Sequence, residues 1–104
     1  MRFACLVPLV FAAAAQAIDF REPYRIPAED TMVEFTNAFD NACATWPAAI
    51  SEGLTFSRSF VHAGNFNGSD PDTIALIFCT WAKNGVSTAF TDDVATSLGA
   101  THLL

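Results

Sequence analysis

His62 and Arg58 are the residues of this chain whose types and spacing best suit chemistry. Phe60 lies between them and Phe56 precedes them, two positions apart each time. In an extended segment, residues two apart share a face. Leu54, Phe56, Arg58, Phe60 and His62 are therefore expected on one side of a strand, with Thr55, Ser57, Ser59, Val61 and Ala63 on the other. An imidazole and a guanidinium set among aromatic rings suit an enolate or a carboxylate, with His62 as general base. Phe56 and Phe60 would line such a pocket. The simpler expectation is that both polar groups sit near a strand end and reach solvent. His102, the second histidine, follows the last predicted helix and is expected either at the surface or beside the pocket.

Other chemistries have little footing. The sequence holds no Gly-rich phosphate loop, no GxSxG and no HExxH. Glu29-Asp30 and Asp92-Asp93 read as helix-terminal or solvated acids rather than metal ligands. No metal and no cofactor is expected. Asn67-Gly68-Ser69 is an N-x-S sequon in a predicted loop, so Asn67 is an acceptor if the host glycosylates secreted chains.

The elements that must position these residues begin after a leader. Arg2 supplies a basic start, Phe3 to Ala14 an apolar run, and Ala15-Gln16-Ala17 a small-x-small cleavage site. Residues 1–17 thus read as a secretory signal peptide, too short to span a bilayer. Residues 18–104 read as one small domain of a secreted protein. Removing the leader leaves Arg21, Arg25, Arg58 and Lys83 against eleven acids, a net charge of −7. That balance argues against nucleic acid or anionic membrane as a partner. Cys43 and Cys79 are then the remaining thiols. In an oxidising compartment they pair most simply as one disulfide, and no CxxC spacing suggests redox chemistry.

Thr73 to Trp81 is the longest apolar run after the leader, bounded by turn residues on both sides. It reads as a strand with two apolar faces: Ile74, Leu76 and Phe78 on one, Ala75, Ile77, Cys79 and Trp81 on the other. Ile18 to Ile26 alternates, with Asp19, Arg21, Pro23 and Arg25 on the polar face, and Pro23 confines it to an edge or an ordered tail. Pro27 to Asp30 is expected to open a helix whose apolar stripe runs Met32, Phe35, Phe39, Cys43 and Trp46, stopped by Pro47. After Asn84-Gly85, a hairpin strand and a helix compete. Val86, Phe90, Val94 and Leu98 repeat every four residues, so a helix over 86–98, closed at Gly99, is preferred.

The order is (strand)–helix–strand–strand–helix–(strand). The expected class is α+β, a ferredoxin-like split βαβ with two helices on one face of a small antiparallel sheet. A Cys43–Cys79 bridge would make the Cys79 side the helix-facing one. Ile74, Leu76 and Phe78 would then stand on an open face, joined by Leu54, Phe56 and Phe60. Such a patch would be large for a soluble monomer, so a second copy or a ligand cavity is expected to cover it.

The helix–strand–strand–helix order, Gly53-Leu54-Thr55-Phe56-Ser57-Arg58-Ser59-Phe60 and His102 resemble the dimeric α+β barrel proteins, nearest to the stress-responsive A/B barrel branch. The resemblance covers roughly residues 28–102. It implies a homodimer through the open sheet face, a small apolar ligand, and cyclase or cofactor-free monooxygenase chemistry with Arg58 and His62 in the pocket. Read from the residues alone, the chain is a small secreted, disulfide-braced protein acting by protein or small-ligand binding, effector-like rather than enzymatic.

Overall fold

The computed structural model describes residues 21–103. The expected leader, Cys5 and the first residues of the expected opening strand lie outside them. Eight elements follow: β1 (Glu22–Arg25), α1 (Met32–Ala44), α2 (Pro47–Ser51), β2 (Thr55–Ala63), β3 (Ile74–Lys83), β4 (Val86–Ala89), α3 (Thr91–Ser97) and β5 (Thr101–His102).

β3 is the spine of an antiparallel sheet of order β2-β3-β1-β5. β2 runs along one side of it from Ala75 to Ala82. β1 and β4 share the other side end to end, β1 against Ile74–Ile77 and β4 against Thr80–Lys83. In outline, β1–α1–β2 and β3–α3–β5 are two interleaved β-α-β units, each with a strand of the other between its own two. The fold is α+β, as the sequence leads one to expect.

One core lies between sheet and helices. Tyr24, Phe35, Phe39, Cys43, Ile77 and Cys79 are each fully buried in it. Ala49 of α2 and Val94 of α3 join the same cluster, so all three helices lie on the Cys79 side. The disulfide Cys43–Cys79 crosses between the layers with the Cα atoms 5.8 Å apart. Trp81 is buried beside it and donates its indole N–H to the Cys43 carbonyl at 2.9 Å.

Several boundaries differ from expectation. Residues 27–30 form a turn, and α1 begins at Met32. Thr31 caps it: its hydroxyl accepts the Glu34 N–H at 3.1 Å, while Glu34 accepts the Thr31 N–H at 2.8 Å. This reciprocal box satisfies two end donors at once, which proline and nearby acids do not. At the far end α1 stops at Ala44, and Pro47, fit for a first helical position, starts α2.

The helix expected over 86–98 is two elements. Asn84 and Gly85 adopt φ of 53° and 80°, the left-handed pair of a tight hairpin, so Val86–Ala89 folds back on β3. Val86 is accordingly exposed rather than on an apolar helix stripe. Only Thr91–Ser97 is helical.

Pro23 does not hold β1 at an edge, since β1 pairs on both sides. Its carbonyl accepts the Leu103 N–H at 3.0 Å, so its backbone polar edge faces β5. The missing donor therefore leaves the β3 ladder untouched.

Candidate functional site

Two alternations and one irregularity decide which side chains meet. β2 carries a β-bulge between Phe56 and Arg58, so two residues of β2 stand opposite one of β3. Phe56 pairs with Trp81 and meets its ring edge-on, with centroids 5.7 Å apart. Arg58 pairs with Thr80, and Phe60 and His62 follow on the side away from the helices. Phe56 therefore does not share a face with Arg58, Phe60 and His62. Leu54 likewise packs against the helix-side core. A strict period of two cannot register an inserted residue, which is why the sequence pattern misassigned both.

On the helix-free face, Phe60 and Phe78 pair across the strands with parallel rings 5.1 Å apart. His62 continues the row, its ring 6.4 Å from Phe60. The Arg58 guanidinium caps the pair, 6.0 Å from the Phe60 centroid and 5.8 Å from that of Phe78. Arg58 and His62 are exposed, and the two phenylalanines are half-buried. The face is less bare than expected at its other end. Ile74 and Leu76 are buried, Leu76 lying in register between Pro23 on β1 and His62 on β2. In the adjoining Gly64–Thr73 loop, Phe66 lies 5.8 Å from the Arg21 guanidinium.

His102 lies on the opposite face, at the far edge of the sheet. It stacks on Tyr24 at 4.8 Å, and its Nε2 lies 3.0 Å from Glu22 Oε1. Tyr24 donates its hydroxyl to Asp92 Oδ1 at 2.6 Å. Burial first, then the Asp92 hydrogen bond and the surrounding carboxylates, pushes the Tyr24 phenol well above its ordinary value. Tyr24, His102, Glu22 and Asp92 thus form a polar cluster that ties β1, β5 and α3 together. The sequence pattern pointed to His102 but not to its partners, which lie up to 80 positions away.

Asn67 is exposed on the loop, and its side-chain oxygen accepts the Ser69 N–H at 3.0 Å. Gly64 at φ 98° lets the loop close, because a Cβ there would stand 3.3 Å from the Gly68 carbonyl oxygen. Among the described residues no group of three metal-ligating side chains converges, and no helix is long and apolar enough to cross a membrane.

Comparison with protein-family models, with curated proteins and with solved structures finds no match. The surface chemistry of the chain itself must therefore carry the functional reading.

Proposed function

We propose that this chain is a small secreted, non-enzymatic binding protein whose contact surface is the helix-free face of its sheet. The observation that carries the proposal is the row of parallel rings, His62–Phe60–Phe78, capped by Arg58 and left half-exposed. Rings held in a row by a sheet lose little freedom on binding, and a guanidinium beside them adds direction. The expected leader and the Cys43–Cys79 bridge support an extracellular setting.

The test is a screen of small aromatic and aliphatic carboxylates and amides against the oxidised mature chain, read by backbone amide shifts. Shifts gathered on Arg58, Phe60, His62 and Phe78 support the proposal. Shifts gathered on the helix side, or turnover of any compound, overturn it.

A second reading keeps one observation in its favour: Arg58 and His62 flank Phe60 on one face. In a dimeric α+β barrel that face would close against a second copy, and the pair would hold an enolate and move its proton. Both side chains are exposed in the single chain, so this reading requires the second copy.

A further inference from the structure

The chain is acidic overall, at a net charge of −6, yet the charges on its described strands are sorted by face. The side of the sheet that carries the ring row also carries Arg58 on β2 and, by alternation from buried Tyr24, Arg25 on β1. Among the described strand residues on this face none is acidic. Among the described residues neither Arg25 nor Arg58 has a carboxylate partner. Glu34 and Asp40 lie on α1, Asp92 and Asp93 on α3, Glu22 beside His102, Glu29, Asp30 and Glu52 next to the helices in sequence, and Asp70 and Asp72 in the loop that leads into β3.

The rings supply the apolar component. Phe60 and Phe78 present their faces to each other, tilted by only 11°, and His62 lies within 16° of Phe60. The row is therefore a pre-ordered apolar strip beside the Arg58 guanidinium. We infer that this face takes an acidic polypeptide segment bearing apolar side chains, its carboxylates on Arg25 and Arg58 and its apolar groups along the ring row. The inference rests on the reading of this face as the contact surface, and it names the partner's chemistry.

The dimensions fit a segment rather than a small molecule. Arg58 stands opposite Thr80 and Arg25 opposite Ile74, six residues along β3 and two strands across. At about 3.3 Å per residue and about 4.8 Å per strand, the backbone positions of the two arginines are roughly 22 Å apart. About seven extended residues cover that span. A single-stranded nucleic acid fits less well. It needs a basic groove along its backbone, and the described strands of this face offer two arginines. A second copy docked face to face about a twofold axis would bring like charges into one interface.

The experiment uses the oxidised mature chain and three probes: an acetylated octapeptide alternating glutamate with leucine, the same peptide with glutamine for glutamate, and octauridylate. Amide shifts locate binding, and circular dichroism confirms that the variants are folded. The glutamate peptide is expected to shift Arg58, Phe60 and Phe78. Its affinity is expected to fall by about tenfold in Arg58→Glu and again in Arg25→Glu, as loss of one charge-assisted contact would give. Equal affinity for the glutamine peptide at this face overturns the acidic partner and leaves the contact surface standing. Binding of octauridylate alone overturns it in favour of nucleic acid. Concentration-dependent self-association through the face, with no peptide bound, overturns it in favour of a second copy. If the peptides shift only helix-side residues or none, both the partner and the contact surface fall.

Discussion

Thr91 is the one buried polar side chain among the described residues, and it sits where β3 lacks a strand partner. β1 ends its pairing at Ile77 and β4 begins at Thr80. In the gap, the Cys79 N–H donates to the Thr91 hydroxyl at 3.0 Å, and the Cys79 carbonyl accepts the Phe90 N–H at 2.9 Å. A buried amide left without a partner costs about 1–3 kcal/mol. Thr91→Val keeps the shape and removes the acceptor, so urea denaturation should show a loss of about that size, with Thr91→Ser losing less. Tyr24 gives a second residue-scale prediction. It is the sole tyrosine, and its phenol is held protonated by burial and by Asp92. In the unfolded chain a phenol ionises near pH 10. Above that pH the unfolded state has released a proton that the folded state keeps. The stabilisation is therefore full below about pH 10 and falls as pH rises past it. Unfolding free energies at neutral and strongly alkaline pH should diverge in the wild type and much less in Tyr24→Phe.

At the scale of elements, what was legible followed from patterns that tertiary contacts did not disturb. β3 was readable because two apolar faces bounded by turn residues leave few alternatives. The stripe Phe35, Phe39 and Cys43 marked the buried side of α1, and the two cysteines did pair. The misreadings share a cause. Val86, Phe90, Val94 and Leu98 mimic a helical period, yet the Asn84-Gly85 turn takes the chain back along β3 before any helix begins. The bulge at Phe56/Arg58 moved one aromatic residue of the expected site to the other face and left three residues together. Neither feature has a periodic signature. The bridge between α1 and β3 carries the prediction at this scale. It closes a loop of 36 residues, for which the chain-entropy model gives about 4 kcal/mol. The Cys43→Ser, Cys79→Ser double variant should lose a large part of that in chemical denaturation. An unchanged midpoint would show that the bridge does not constrain the unfolded chain.

At the scale of the whole molecule, the charges of the described strands favour the binding reading over the barrel-type dimer. A barrel-type dimer would press Arg25, Arg58 and their copies into one interface, with no acid among the described strand residues of that face to offset them. The mature, oxidised chain is therefore expected to run as a monomer in light scattering at low and physiological salt. A stable dimer that disperses on Phe60→Asp would reverse this and restore the catalytic reading.

The divided flank of β3 carries one more implication. Where two short strands abut along a long one, the sheet has a seam, and the material on either side of it answers to different neighbours. The β4 hairpin hangs from β3 alone, whereas β1 is clasped by β3 and β5. β4 is therefore the strand the sheet can part with at least cost, whereas β3 beside it stays fastened by β2 from Thr80 to Ala82 and by the Trp81 bond to Cys43.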